Sequence, residues 1–226
     1  MRVLGEFPTS DDETVIPLEL VLGAVGRNVS TLDYHPVWGV DIARFGDDRT
    51  ALAKRQKNKL LEPVKSWNST DLMATAGKIK AEYDATPYDA RPSEILVDII
   101  GLGAGVYDRC RELGLPVRGV NVGEAAASRE NCARLRDELW FKGREWFQDR
   151  ACSMPKDDAL IAELTSPTYA FTSTGKMVVE SKADMKKRGR LRSPDLADAF
   201  LLTFACGERK IERHRRQVRR CSGWAA

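Results

Sequence analysis

The sequence predicts an α/β fold in which helices cover both faces of a mixed central sheet. Three apolar strands follow one another closely between residues 37 and 67, as in an antiparallel meander. Helical and strand-like segments then alternate, and such βαβ order places the later strands parallel in the same sheet. The chain has 226 residues, which is enough to bury one sizeable core.

The predicted elements are defined by hydrophobic periodicity and by turn residues between them. The strands are short apolar runs, and they cover residues 37–43, 50–56, 60–67, 94–100 and 117–122, with a hairpin formed by 168–172 and 176–181. The helices have apolar residues at helical spacing, and they cover residues 17–24, 71–83, 104–113, 128–151, 157–164 and 193–208. Residues 1–35 are otherwise an extended lead-in, residues 36–209 the folded domain, and residues 210–226 a basic, disordered tail.

The composition restricts the possible chemistry. There are two histidines, and the five cysteines include no CxxC pair, which argues against triad hydrolases, His-rich metal sites, structural zinc and disulfides. No Walker A motif is present, so these residues do not predict a P-loop ATPase. No apolar run is long enough to span a bilayer and no secretory signal is seen, so no membrane partner is expected. Any catalysis must therefore depend mainly on carboxylates.

Two aspartates interrupt apolar strands. Asp41 lies in the first strand and Asp98 in the fourth, where a charged side chain is costly unless it is paired or binds a metal. On neighbouring strands their carboxylates would repel each other, and a divalent cation would remove that repulsion. Mg²⁺ prefers oxygen ligands and is typically held by one or two carboxylates. The pair therefore predicts a metal site, although Asp41 taken alone also fits a strand-end turn.

A second pair of aspartates opens the last predicted helix. Ser193 is a suitable N-cap and Pro194 suits the first helical position, so Asp195 and Asp198 are three residues apart on one helix face. Taken singly, Asp195 could simply complement the helix dipole, and Asp198 could be a solvent-facing charge. Asp47, in the charged loop after the first strand, either forms a turn or reaches a second metal ion or its water.

Basic residues are concentrated late in a chain whose net charge is only +3. A local basic face on a near-neutral protein fits a polyanion partner, and the alternative is a solvated surface. The predicted DNA-binding residues belong to this region; they are Lys182, Lys186, Lys187, Arg188 and Arg190.

With these motifs the sequence resembles the C-terminal nuclease domain of phage terminase large subunits, which has a ribonuclease H-like fold. Residues 39–48 resemble the first nuclease motif of that family. Val97-Asp98 with the glycines that follow resembles the second motif, and residues 182–198 resemble the third. Residues 5–17 resemble the chain leaving the family's ATPase motor, so the match spans nearly the whole sequence.

The resemblance implies an endonuclease that cuts double-stranded, concatemeric viral DNA during genome packaging. It implies Mg²⁺ or Mn²⁺ as the cofactor, with two ions acting in phosphodiester hydrolysis. Asp41 and Asp98 would be metal ligands, the third would be Asp195 or Asp198 with Asp195 ranked first, and Asp47 would hold an accessory position.

The same resemblance implies partners and a location. Besides double-stranded DNA, these are the phage portal, the small terminase subunit and an ATPase motor that would precede the lead-in and is absent from this sequence. The expected location is the cytoplasm of the bacterial host.

Three other functions are compatible with parts of the sequence. Another ribonuclease H-like nuclease, such as a junction resolvase, would use the same carboxylates. A non-catalytic DNA-binding or capsid-docking module would carry them as a vestige. An actin-like or sugar-kinase phosphate site would need a duplicated domain, for which this chain is too short.

Overall fold

The computed structural model describes residues 14–31, 34–43, 49–68, 71–127, 131–189, 193–207 and 210–211. Within these ranges the strands are β1 (Val37–Asp41), β2 (Thr50–Gln56), β3 (Lys59–Leu60), β4 (Lys65–Trp67), β5 (Glu94–Asp98), β6 (Val117–Val120), β7 (Tyr169–Phe171) and β8 (Met177–Val179). The α-helices are α1 (Leu18–Ala24), α2 (Leu72–Ala85), α3 (Gly103–Glu112), α4 (Leu135–Gln148), α5 (Asp158–Thr165), α6 (Lys182–Gly189) and α7 (Asp195–Leu202). Almost all of the predicted basic tail lies outside the described residues.

The central sheet is mixed, as the sequence predicts. Its strand order is β3-β2-β1-β5-β6, with β4 also paired to β2, and β7 and β8 form a separate hairpin. β2 is antiparallel to β1, β3 and β4. β5 is parallel to both β1 and β6, as expected when helices connect consecutive strands.

Helices cover both faces of the sheet and form two hydrophobic cores. On one face α2 and α3 pack on alternate residues of β1 and β5, including Trp38, Val40 and Val97. On the other face α7 crosses β1 and β2, α4 and α5 pack on α7, and α1 packs on α4 and α5. Both central strands are therefore buried on both faces, which explains their nearly continuous apolar sequences.

Several predicted boundaries differ from those observed, and each difference has a local cause. The strand predicted over residues 60–67 is split into β3 and β4 around Pro63, which has no N–H to donate to a neighbouring strand. α4 begins at Leu135 rather than at residue 128, because Cys132 bridges to Met177 on β8. α6 was not predicted at all, since its sequence is mostly charged and lacks an apolar stripe.

Part of the predicted lead-in belongs to the packed core. Val15, Ile16, Val21 and Ala24 are fully buried, and α1 packs on α4 and α5. The predicted boundary at residue 35 therefore does not coincide with the edge of the core. In the part of the chain that is described, no helix combines the length and the apolar character needed to cross a bilayer.

Candidate active site

Asp41 and Asp98 lie at the same edge and on the same face of the sheet. β1 and β5 are parallel neighbours with Val40 opposite Val97, so each aspartate is the next residue of its strand. Val40 and Val97 point into the core under α2 and α3, and alternation turns the two aspartates to the opposite face. Both line the same cavity there. The main-chain N–H of Ile100 donates to Asp98 Oδ1 at 3.1 Å.

α7 brings two more carboxylates to this edge, and a glycine allows its close approach. A Cβ atom added to Gly39 would lie 2.1 Å from the carbonyl oxygen of Ala199, so the helix backbone rests directly on β1. This contact places the first turn of α7 beside the end of β1. Asp195 is the first residue of α7 and is buried, and Asp198 lies one turn later.

The Lys182 ammonium lies at the point where these carboxylates meet. Its Nζ is 3.0 Å from Asp198 Oδ2, 3.3 Å from Asp41 Oδ2 and 3.4 Å from Asp195 Oδ1. Lys182 is the first residue of α6, the helix that was not predicted. One cation therefore compensates three carboxylates that come from two distant parts of the chain.

The electrostatic cost of this arrangement appears in the pKa values. Burial raises the pKa of Asp41 to about 7, and neighbouring carboxylates add to that rise while Lys182 opposes it. Burial works against the charge on Lys182, yet the carboxylates hold its pKa well above the usual value. Burial also works against the charge on Asp198, but Lys182 and Arg136 hold the pKa of Asp198 below its usual range. Lys182, assisted by Arg136 at Asp198, thus offsets part of the cost of burying these carboxylates.

A buried glutamate fixes the start of α7 and, through it, Asp195. Glu163 Oε2 accepts the main-chain N–H groups of Leu196 at 2.7 Å and Ala197 at 3.1 Å. Its Oε1 lies 2.7 Å from the Arg49 guanidinium, and the Arg49 main-chain N–H donates to Asp195 Oδ2 at 2.8 Å. Burial raises the pKa of Glu163 to about 7 against these hydrogen bonds. The sequence did not single out Glu163 or Arg49, because each resembles an ordinary surface charge.

Asp198 is held from the side of α4. The Trp140 indole Nε1 donates to Asp198 Oδ1 at 3.2 Å, and Arg136 Nε lies 3.6 Å from the same oxygen. Trp140 and Arg136 are four residues apart on one face of α4, which is the face that lines the cavity. Sequence reasoning recognised the amphipathic helix but not these two side chains.

The donor set is that of a hard divalent cation, although the described carboxylates are not yet arranged around one. Within the described ranges, no group of three or more His, Cys, Asp or Glu side chains is already arranged to hold a metal ion. All four aspartates offer oxygen ligands, which Mg²⁺ and Mn²⁺ accept. The Lys182 ammonium occupies the space between Asp41, Asp195 and Asp198, so a metal ion bound by these three carboxylates together would have to displace it.

The predicted DNA-binding residues differ in their exposure and in their partners. The Lys182 amine is engaged with the carboxylates. Lys186, Lys187 and Arg188 are exposed along α6, where Arg188 also pairs with Glu180 at 2.9 Å. Arg190 lies outside the described residues, as does Asp47.

Comparison with known proteins points to one group of nucleases. No family model matches the sequence. The chain is 27% identical over 215 residues to a probable terminase, large subunit, of Enterobacteria phage P7, an alignment that covers 88% of this chain and 43% of that protein. The chain thus spans less than half the length of this curated relative.

Solved structures with the same fold are nuclease domains of large terminase subunits. One is a lysine-to-alanine mutant of the nuclease domain of the large terminase subunit gp2 of bacterial virus Sf6, with manganese and β-thujaplicinol. The two structures superpose with a TM-score of 0.71 at 18% sequence identity, and the match covers 85% of this chain and 99% of the Sf6 chain. The large terminase nuclease from thermophilic phage G20c with bound magnesium has a TM-score of 0.62 at 14% identity, over 85% and 97%.

These comparisons agree with the family predicted from the motifs, and the predicted ribonuclease H-like fold is confirmed. In sequence and in fold, this chain is similar to the nuclease domain of a phage terminase large subunit.

Proposed function

We propose that this chain is a divalent-metal-dependent endodeoxyribonuclease that cuts concatemeric double-stranded viral DNA during genome packaging. The observation that carries the proposal is the convergence of Asp41, Asp195 and Asp198 on the Lys182 ammonium, with Asp98 lining the same cavities. Solved structures of related nuclease domains contain manganese, magnesium or cobalt. By the same likeness, its partners would include the portal, the small terminase subunit and an ATPase motor, in the host cytoplasm.

The proposed metal ligands are Asp41 and Asp98, with Asp195 or Asp198 as the third. Asp41 and Asp98 line both of the cavities at this edge, whereas Asp198 lines the smaller and Asp195 the larger. Asp41 and Asp98 would therefore serve either of two ion sites, with Asp198 added in the smaller cavity and Asp195 in the larger. Two such ions, when bound, supply an activated water and stabilise the leaving oxygen in phosphodiester hydrolysis.

The protein's own groups would position these ligands and the substrate. Glu163 and Arg49 orient Asp195, and Trp140 orients Asp198, so both carboxylates are held before any ligand arrives. The exposed basic residues of α6 would hold the DNA backbone. Contacts of this kind depend on salt and read little base sequence, which suits an enzyme that must cut a long genome.

The test is cleavage of supercoiled plasmid by the purified chain. Wild-type protein should produce nicked and linear DNA in Mg²⁺ or Mn²⁺ and none in EDTA. Asp41→Asn should lower the rate by roughly a hundredfold or more, since it removes a shared ligand. It should remain folded, because the neutral side chain also relieves repulsion among buried carboxylates.

Two controls make the result specific. Asp84→Asn changes an exposed aspartate that pairs with Lys80 on α2, and it should cut like wild type. Equal cleavage by Asp41→Asn and wild type would refute the assignment. Faster cutting of four-way junctions than of linear duplex would favour the resolvase alternative, and the absence of metal-dependent cutting would favour a docking module.

A further inference from the structure

Arg136 is a cationic side chain in the candidate active site that the nuclease motifs do not include. It is the second residue of α4, and its main-chain N–H donates to Val122 just beyond β6 at 2.9 Å. Its side chain is only 14% exposed. It lines both cavities together with Asp41, Asp98 and Lys182.

The Arg136 guanidinium has donors left over. Nη1 donates to the carbonyl oxygen of Glu180 at 3.1 Å. Nε and Nη2 are buried, and no acceptor among the described residues forms a hydrogen bond with either. Buried donors are costly when they remain unsatisfied, so most such groups in folded proteins have a partner. Both atoms are covered in the present conformation, so an acceptor that enters the cavity would satisfy them once the guanidinium turns toward it.

Pairing with Asp198 does not account for these donors. Arg136 Nε lies 3.6 Å from Asp198 Oδ1, which is an ion-pair distance without a hydrogen bond. That oxygen already accepts the Trp140 indole N–H, and Asp198 Oδ2 is 3.0 Å from the Lys182 ammonium. Both oxygens of Asp198 thus have other partners.

We propose that Arg136 binds a non-bridging phosphate oxygen of the DNA strand that enters this cleft. Guanidinium groups match phosphate oxygens with paired N–H donors and stay charged at any working pH. The larger cavity, which is open to solvent and has a volume of about 360 Å³, has room for a phosphate group of a DNA strand. Arg136 contributes a cation to this cavity beside carboxylates that would repel an unaccompanied phosphate. The inference rests on the proposed nuclease function and adds to it a residue that contacts the substrate.

The experiment compares Arg136→Gln and Arg136→Lys with wild type in DNA binding and in metal binding. Binding of a labelled duplex is measured by fluorescence anisotropy across a KCl series in Ca²⁺, with a gel to verify that the duplex stays intact. Arg136→Gln should bind roughly tenfold more weakly at 0.1 M salt. Its slope of log affinity against log salt should be shallower by about 0.9, the contribution of one phosphate contact. Arg136→Lys should restore the slope.

Metal affinity separates substrate contact from mere support of Asp198. Mn²⁺ binding measured by calorimetry should not weaken in Arg136→Gln, because the change removes a cation from beside the carboxylates. The plasmid cleavage rate should fall and should be only partly recovered in Arg136→Lys, which lacks the paired donors. Arg109→Gln, on α3 and paired with Glu112 at 2.9 Å, is the matched control and should resemble wild type throughout.

The contrary outcomes are distinct. If Arg136→Gln binds duplex with the wild-type slope but binds Mn²⁺ more weakly, Arg136 supports Asp198 and the inference is wrong. If wild type binds duplex but never cuts it, the nuclease function fails, and the salt slopes still decide whether Arg136 contacts phosphate. If wild type does not bind duplex at all, both proposals are overturned.

Discussion

Replacing Lys182 by alanine removes the cation on which three carboxylates converge, and its effect can be estimated from the geometry. The ammonium lies 3.0 Å from Asp198, 3.3 Å from Asp41 and 3.4 Å from Asp195. Because the Lys182 side chain is 37% exposed, each pair is screened and contributes about 0.7 kcal/mol rather than the larger value of a fully buried pair.

The three ion pairs together contribute roughly 2 kcal/mol. A metal ion must break these pairs to bind the wild type, whereas in the variant they are already absent. Since 1.4 kcal/mol corresponds to a factor of ten, Mn²⁺ should bind Lys182→Ala about 30-fold more tightly than wild type. Without metal the variant should unfold more easily, because the three carboxylates then lose the ammonium on which they converge. Saturating Mn²⁺ should therefore raise its melting temperature more than that of wild type.

Calorimetric titration of metal-free protein with Mn²⁺ measures the affinity, and thermal unfolding with and without Mn²⁺ measures the stability. Lys187→Ala is the matched control, since Lys187 lies on the same helix but is 79% exposed and pairs only weakly with Asp184. It should behave like wild type in both measurements. Equal or weaker Mn²⁺ binding by Lys182→Ala would refute the idea that the ammonium competes with the metal.

Two further predictions concern stability. Gly39→Ala should lower the free energy of unfolding by about 3 kcal/mol in chemical denaturation, because its Cβ would lie 2.1 Å from the Ala199 carbonyl oxygen. Gly77→Ala, in the middle of α2 with nothing within 4 Å of the added Cβ, should raise it by roughly 0.5–1 kcal/mol. Equal effects of the two changes would contradict the close helix–strand contact. Glu82→Gln should cost about 1 kcal/mol at neutral pH, because Glu82 pairs with the nearly buried Lys54. Burial acts to raise the pKa of Glu82, but hydrogen bonds from Lys54 and Lys65 hold it below its usual 4.5. The stabilisation is therefore present above pH 4.5 and is lost as the pH falls through the lowered pKa of Glu82. In Glu82→Gln the free energy of unfolding should therefore fall less steeply with decreasing pH than in wild type. An equally steep fall would contradict the pairing.

The convergence of the strand aspartates could be predicted from the sequence because it follows from general rules of sheet structure. A charge inside an apolar strand is conspicuous, and parallel neighbours end at the same edge. Asp41 and Asp98 satisfy both conditions, and the structure brings them to one cavity. The helix that carries Asp195 was recognised from its Ser-Pro start, although it ends at Leu202 rather than at residue 208.

The parts that sequence reasoning missed depend on tertiary contacts. α6 has few apolar residues and is anchored mainly through the buried Met185, so nothing in its periodicity indicates a helix or a central role for Lys182. Glu163 and Arg136 are ordinary helical charges until the fold places them beside α7 and the cavity. Gly39 was a usable signal, since a glycine within a buried strand often marks a close backbone approach.

Anomalous diffraction from crystals soaked in Mn²⁺ tests most directly whether the carboxylate cluster is a metal centre. We predict an anomalous peak in contact with carboxylate oxygens of both Asp41 and Asp98, together with movement of the Lys182 ammonium away from its present position. A crystal saturated with Mn²⁺ that has no peak there, and in which Lys182 still pairs with Asp41, Asp195 and Asp198, would contradict the proposed catalytic centre.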